Sequence, residues 1–168
     1  MNRKKTIIRY LLLAAVCVVI FWFSSNNGEN STSQSDMIVN KILDIFFPSY
    51  SSYDANARLA LHDILAVIVR KGAHFSVYML LGGLGYAAFF QIRKMWIRYG
   101  CAVGFTVLYA CTDEIHQMFV SERTAKLSDI CIDTLGGMLG AFIVMMFIVF
   151  TAAVKIVEKQ SMVSDKNN

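Results

Sequence analysis

Residues 128–154 read SDICIDTLGGMLGAFIVMMFIVFTAAV, and this stretch decides the fold class. Its first turns carry the acidic residues Asp129 and Asp133, and the remainder is almost entirely apolar. A helix needs about 20 apolar residues to cross roughly 30 Å of hydrocarbon, so this stretch is long enough to span a membrane. It also contains Gly136-x-x-x-Gly140, a spacing of small residues that lets two helices approach closely and therefore predicts helix packing there.

The composition of the whole chain supports an integral membrane protein. Of 168 residues, 56% are hydrophobic and 17% are charged, and the mean hydropathy is +0.50. A soluble domain of this length would have too little polar surface to cover its core. The net charge of +4 is modest, and no basic run is interleaved with aromatic residues. The expected partner is therefore the lipid bilayer, and nucleic acid is not expected to bind.

Three further stretches resemble membrane spans. Residues 7–23 follow a basic N-terminus and end in Phe21-Trp22-Phe23, aromatic residues typical of a membrane interface. Because no small-residue cleavage site follows, this stretch is predicted to be an uncleaved helix and not a signal peptide. Residues 72–91 and 97–119 are the other two. The sequence predicts an all-α integral membrane bundle of about four transmembrane helices, in a single domain over residues 1–168 with its core at about 10–154.

The region between the first two spans is more polar. Residues 24–36, SSNNGENSTSQSD, are predicted to form a loop. Residues 37–47 and 57–69 are apolar but too short to span, and both contain charges. They predict one or two amphipathic helices on the outer face, and whether residues 57–69 continue into the next span stays open.

The four cysteines lie in apolar stretches and form no C-x-x-C pair; they are Cys17, Cys101, Cys111 and Cys131. A zinc site or disulfide framework is therefore not expected. The thiols are predicted to be buried as small hydrophobes, with a Cys111–Cys131 disulfide left open.

Lysine and arginine are distributed unevenly along the chain. With the N-terminus in the cytoplasm, the inner segments hold ten basic and two acidic residues, and the outer segments hold six basic and ten acidic residues. Basic residues favour the cytoplasmic side. A multi-pass protein of the cell membrane with both termini in the cytoplasm is therefore predicted.

Ionisable residues gather at the predicted outer ends of the spans. Arg70, His74 and Tyr78 recur every four residues, so they share one face of a helix. An unpaired charge at mid-bilayer costs about 2.5–3.5 kcal/mol on insertion scales, so such groups are expected to face inward and to pair. The predicted pairs join cations to anions: Arg70, Lys71 and Arg123 with Asp113, Glu114, Asp129 and Asp133.

These residues form a pattern that resembles the VanZ family: Arg70-Lys71-x-x-His74-Phe75-x-x-Tyr78, then Asp113-Glu114-x-His116-Gln117-x-Phe119, Arg123, and Asp129-x-x-x-Asp133-x-x-Gly136. The resemblance also includes Phe23-Ser24-Ser25 and covers about residues 10–145. It implies a four-span cell-envelope protein of a Gram-positive bacterium, since the founding member is associated with low-level resistance to teicoplanin. By position, the family's polar residues correspond to Arg70, Lys71, His74, Tyr78, Asp113, Glu114, His116, Gln117, Arg123, Asp129 and Asp133.

Two main functions stay open. The first is a non-catalytic outer-face site that engages a lipid, a lipid-linked envelope component or a glycopeptide. The second is an intramembrane enzyme acting on a lipid-linked phosphate, with His74 or His116 as general base, oriented by Asp113 or Asp133. In a metal-dependent form, both histidines and the carboxylates would bind zinc or manganese. Ion transport is a third idea with less support, since there is no internal repeat. No nucleotide-binding, hydrolase or metalloprotease motif is present, so no cofactor or metal is assigned.

Overall fold

The computed structural model describes residues 3–25, 28–120 and 126–166 of the chain. Within these ranges it contains five α-helices, one short 3-10 turn at Tyr50–Ser52, and no strand. The helices are α1 (Arg3–Ser24), α2 (Gly28–Phe46), α3 (Ala55–Ala88), α4 (Met95–Gln117) and α5 (Leu127–Lys166). The prediction of an all-α fold is confirmed.

Three of the described helices are long and apolar enough to cross a membrane: α1, α3 and the Leu127–Met162 part of α5. Their outward faces expose large apolar side chains such as Leu11, Trp22 and Phe147. Water would disfavour so wide an apolar surface, whereas lipid tails match it. The protein is therefore a helical membrane protein with several membrane-spanning helices.

Helix α4 differs from these three helices in polarity. Its 23 residues would extend about 35 Å, which is the length of a span. However, it carries Arg98 near its start and Asp113 and Glu114 near its end, and it is not among the three helices apolar enough to qualify. Three of the four predicted spans are therefore supported by apolar helices, and the fourth, on α4, stays a prediction.

Helix α2 corrects the predicted loop at residues 24–36, because the helix begins at Gly28. Ser35, Val39 and Leu43 recur every four residues and are all buried, and α2 packs against α3. This buried stripe explains the correction, since tertiary packing of one face outweighs the modest helix propensity of serine and asparagine. Of the predicted amphipathic helices, only α2 is a separate element.

Helix α3 answers the question left open by the sequence. Residues 57–69 are its first half and not a separate surface helix, and they continue without a break to Ala88. Asp54 caps the helix start by accepting a hydrogen bond of 2.8 Å from the backbone N–H of Ala57. At 34 residues, α3 is about 51 Å long and exceeds the hydrocarbon thickness, so part of it extends beyond the membrane.

Glycines hold α3 and α5 in close contact. A Cβ atom at Gly136 would overlap the carbonyl oxygen of Phe75, and one at Gly140 would overlap that of Met79. From the other side, a Cβ at Gly82 would overlap the backbone of Gly137. The predicted packing role of Gly136-x-x-x-Gly140 is confirmed, and the partner is the middle of α3.

Side-chain contacts show which helix ends lie together. At one end, the Arg98 guanidinium lies 4.1 Å from the ring of Tyr86, and Arg9 lies 4.8 Å from the ring of Phe90. At the opposite end, α1 and α4 finish side by side and α5 begins. We call this second end the polar end, because it carries most of the candidate site residues.

The cysteines are less buried than the sequence predicted. All four are free, so the Cys111–Cys131 disulfide does not form. Cys101 and Cys131 are exposed, and Cys17 and Cys111 are half-buried. The expectation of four buried thiols is wrong, because a lipid-facing position suits a small apolar side chain as well as a core position does.

Candidate functional site

Three helices bring one ionisable side chain each to a common point at the polar end. His74 comes from α3, Asp113 from α4 and Asp133 from α5, and one ligand-type atom from each lies within 4.8 Å of the others. Asp133 is fully buried, Asp113 is 4% exposed, and the His74 side chain is 30% exposed. We call these three residues together with Tyr78 the carboxylate cluster.

Asp133 is the most unusual member of the carboxylate cluster. It has no exposed surface, and neither of its carboxylate oxygens accepts a hydrogen bond. The nearest approach described for it is the Nδ1 atom of His74, 3.7 Å from Oδ1, which is longer than a hydrogen bond. A buried carboxylate whose oxygens accept no hydrogen bond is costly for the folded protein.

Asp113 is better satisfied on one side. Its Oδ2 accepts a hydrogen bond of 3.1 Å from the Nε2 of Gln117, one helical turn later. The same amide nitrogen donates to the Oγ of Ser24, at 2.9 Å, and so ties the end of α4 to the end of α1. Oδ1 of Asp113 has no partner and is left as a free acceptor in the cluster.

Tyr78 completes the carboxylate cluster. The side chain is fully buried, its hydroxyl has no hydrogen-bond partner, and Asp113 and Asp133 are both close enough for their charge to act on it. A phenol can donate one hydrogen bond, so this hydroxyl is the one donor of the cluster besides the imidazole of His74.

Glu114 lies beside the cluster but has a structural contact of its own. Its Oε2 accepts a hydrogen bond of 2.8 Å from the backbone N–H of Lys126, just before α5 begins. This bond fixes the start of α5 against the end of α4. The second oxygen, Oε1, is buried and unpartnered.

The rim of the site holds the one predicted lysine–aspartate pair that forms. Lys71 Nζ lies 2.8 Å from Asp129 Oδ1, and both side chains are about one-third exposed. Arg70 is exposed on the neighbouring position of α3 and has no described contact with the acidic residues. Arg123, also predicted to pair, lies outside the described residues. The predicted network is therefore realised at Lys71–Asp129, and Asp113 and Asp133 have no lysine or arginine partner among the described ion pairs.

His116 occupies a different environment from His74. Its ring stacks on Phe21 with centroids 4.5 Å apart, and its Nε2 lies 3.1 Å from the Oγ of Ser25. Both contacts are with the end of α1, so His116 faces α1 and is not part of the carboxylate cluster. The sequence pattern treated the two histidines as equivalent candidates, and the structure separates them.

Three residues at or just after the end of α1 belong to the site and were not among the sequence-predicted binding residues: Phe21, Ser24 and Ser25. A signal for them existed, because Phe23-Ser24-Ser25 is part of the pattern that resembles the VanZ family. Spacing alone could not show that these hydroxyls meet Gln117 and His116, which are far away in sequence.

The electrostatic character of the site follows from its free acceptors. Four buried carboxylate oxygens accept no hydrogen bond: Oδ1 of Asp113, Oε1 of Glu114 and both oxygens of Asp133. Such oxygens gain most from a cation or from a ligand that carries hydroxyl, amide or amino donors. The arrangement is therefore suited to binding a donor-rich or cationic group inside the helix bundle.

Membrane-spanning helices with ionisable residues buried between them define a multi-span membrane protein with an internal polar site. The VanZ/LLP1 family model matches residues 9–150, and the chain belongs to this family. The resemblance drawn from the sequence is thereby confirmed. No curated protein and no solved structure matches the chain.

Proposed function

We propose that this VanZ-family protein binds the head group of a lipid-linked component of the bacterial cell envelope, at the non-cytoplasmic face of the cell membrane. By engaging that component it lowers susceptibility to teicoplanin-type glycopeptide antibiotics. The observation that carries the proposal is Asp133, a fully buried carboxylate with two unpartnered oxygens between membrane-spanning helices. Ionisable residues within membrane-spanning segments are expensive and mark functional sites.

The surroundings of the carboxylate cluster support a lipid-linked ligand. Large apolar side chains are exposed at the polar end: Trp22 in the last turn of α1, Phe119 just after α4 and Leu127 at the start of α5. They would contact acyl or isoprenoid chains while the head group reaches the buried acceptors. Exposed Arg70 on α3 adds a positive charge at the rim, where it would favour a phosphate group.

An intramembrane enzyme is the second candidate, and one observation favours it. The Nδ1 atom of His74 lies 3.7 Å from Asp133, so a modest rotation would let the carboxylate orient the imidazole as it does in general-base catalysis. The other nitrogen of His74 would then accept a proton from a substrate hydroxyl or water. His116 lacks this carboxylate neighbour and is the poorer candidate for the base.

A susceptibility measurement tests the proposed function. Overexpression in a susceptible Gram-positive host should raise the minimal inhibitory concentration of teicoplanin but leave that of vancomycin nearly unchanged, because vancomycin lacks a lipid tail. Asp113→Asn should abolish the rise, since it removes the charge and keeps the size. Glu158→Gln, an equal change on an exposed residue of α5, should retain it. Unchanged teicoplanin susceptibility at confirmed membrane abundance would contradict the proposed function.

A substitution at His74 distinguishes the lipid-binding protein from the enzyme. A general base must change its protonation state. If the protein is an enzyme, His74→Gln should therefore abolish its activity completely while lipids still co-purify with it. A binding histidine needs only a donor or acceptor of similar reach, so partial function in His74→Gln supports the binder. Mass spectrometry of co-purified lipids gives the second readout.

The topology assigned to this function has four spans, with α4 as the fourth and both termini in the cytoplasm. It follows from the ten basic residues of the inner segments. In a cysteine-free variant, single cysteines introduced by Ser52→Cys, Lys94→Cys or Gln160→Cys occupy exposed positions. An impermeant maleimide should label intact cells only at position 52, and positions 94 and 160 only after permeabilisation. Labelling of intact cells at position 94 would contradict this topology.

A further inference from the structure

We propose that His74, Asp113 and Asp133 hold a divalent transition-metal ion, zinc or manganese, at the centre of the carboxylate cluster. The inference rests on the proposed function in that it assigns a cofactor to the same site. It starts from the one described group of three ligand-type side chains, which converge from α3, α4 and α5.

The buried acceptors require a positive charge. Both oxygens of Asp133 and one of Asp113 accept no hydrogen bond, although both residues are buried. Two carboxylates this close repel each other, and the effect is stronger in a low-dielectric interior than in water. A divalent cation between them would neutralise both charges and would occupy the free lone pairs directly.

The protein's own cations do not fulfil this role. Lys71 is engaged with Asp129 at 2.8 Å, and Arg70 points to an exposed position. The imidazole of His74 approaches Asp133 only to 3.7 Å. The imidazole of His74 and the carboxylates of Asp113 and Asp133 nevertheless bring one ligand-type atom each to a common point, as the ligands of one metal ion do.

The chemistry of the three side chains selects the kind of metal. One imidazole nitrogen and two carboxylate oxygens suit zinc or manganese, whereas calcium and magnesium prefer oxygen alone. Ligands of a tetrahedral zinc ion lie about 3.4 Å apart, so the three atoms, now within 4.8 Å of one another, would need to approach each other by up to about 1.4 Å. Side-chain rotation is sufficient for a shift of this size.

Three protein ligands leave at least one coordination position open, as they do in catalytic zinc sites. His74 is partly exposed, so the position can be reached from the polar end. This resolves a difficulty of the proposed function, because a phosphate group would be repelled by bare carboxylates but attracted to a metal that they hold. The ligand class that follows is a lipid-linked phosphate or diphosphate whose oxygen completes the coordination of the metal.

Metal binding to the purified full-length protein tests the inference. The protein is treated with a chelator in detergent, dialysed, and titrated with Zn²⁺ or Mn²⁺ by calorimetry, with the metal content measured by mass spectrometry. One ion should bind per chain and raise the melting temperature, because a ligand that binds only the folded state stabilises it. His74→Gln and Asp133→Asn should each weaken binding at least about tenfold, since even changes behind a metal ligand cost about 10–100-fold.

His62→Gln is the matched control. His62 lies on the same helix and approaches Asp36 at the same distance of 3.7 Å, but the Asp36 side chain is 37% exposed whereas Asp133 is buried. Its loss should leave the binding constant and the thermal shift unchanged. Equal weakening by His62→Gln, or unchanged binding in monodisperse Asp133→Asn, would overturn the metal site.

The two proposals fail separately. Stoichiometric metal binding that depends on Asp133, together with unchanged teicoplanin susceptibility, would keep the metal site and reject the proposed function. Suppose instead that the protein alters teicoplanin susceptibility in cells, but the purified wild type binds no metal even at metal concentrations far above those of free metal in cells. That result would reject the metal site and keep the proposed function. Added undecaprenyl phosphate in mixed micelles should tighten metal binding in the wild type and not in Asp133→Asn.

Discussion

Replacing Gly140 by alanine should separate α3 from α5 and leave little folded protein in the membrane. The new Cβ would overlap the carbonyl oxygen of Met79, which is backbone and cannot rotate away. Overpacking of a core typically costs about 1–3 kcal/mol when side chains can adjust, and here the helices themselves must move, so about 3 kcal/mol or more is expected. The melting temperature in detergent and the recovery of monodisperse protein by size exclusion measure the effect.

Gly104→Ala is the control for this prediction. Gly104 lies within α4, and a Cβ there would meet nothing within 4 Å. Alanine is favoured over glycine in a helix by up to about 1 kcal/mol, so this variant should be as stable as the wild type or slightly more so. If Gly104→Ala and Gly140→Ala lowered the melting temperature equally, the close contact between α3 and α5 would not be what holds the bundle together.

The glycine contact also positions the site. The carbonyl of Phe75 on α3 lies so close to Gly136 on α5 that a Cβ atom at Gly136 would overlap it. His74 directly precedes Phe75, and Asp133 lies one turn before Gly136, so the same contact fixes the separation of the imidazole from the carboxylate. The small residue at position 136 therefore has two effects. It allows the helices to pack tightly, and it brings Nδ1 of His74 to 3.7 Å from Oδ1 of Asp133.

The sequence predicted the apolar helices well and the polar connections poorly. Long apolar runs are a strong signal because lipid requires them, and α1 and α5 follow directly. Serine and asparagine in residues 28–36 gave no such signal, and only the burial of Ser35, Val39 and Leu43 against α3 explains why the segment is helical. The sequence left open whether residues 57–69 continue into the next span for a related reason, since scattered charges do not end a helix that extends beyond the membrane, and α3 includes both segments.

The membership of the site was predictable, whereas its internal geometry was not. Spacing placed Asp113 and Gln117 on one face, and the structure joins them by a hydrogen bond of 3.1 Å. Spacing also grouped His116 with Asp113, but side chains three residues apart on a helix diverge by about 60°, and His116 lies against Phe21 of α1. Which histidine meets a carboxylate depends on how α1 and α3 pack around α4, and a single sequence does not contain that information.

Asp133→Asn should raise the stability of the metal-free protein and abolish its function. The carboxylate is buried, its oxygens accept no hydrogen bond, and the His74 imidazole approaches it only to 3.7 Å, so its charge is poorly compensated in the folded protein. Burying an ionised carboxylate costs far more than burying a neutral amide of similar volume, so the exchange should be neutral or stabilising. The melting temperature of the chelator-treated variant should therefore equal or exceed that of the wild type, while teicoplanin susceptibility returns to the level of cells without the protein.

Asp129→Asn gives the contrasting result that makes this prediction decisive. Asp129 lies one turn earlier on α5 and accepts from Lys71 at 2.8 Å, so its charge is compensated in the folded state. Because the pair is about one-third exposed, its loss should lower the melting temperature only slightly. Changes of opposite sign in the melting temperatures of the two variants would show that Asp133 is retained for binding at the expense of stability. A fall in stability for chelator-treated Asp133→Asn, equal to or larger than that of Asp129→Asn, would show instead that Asp133 stabilises the fold by pairing with a protonated His74.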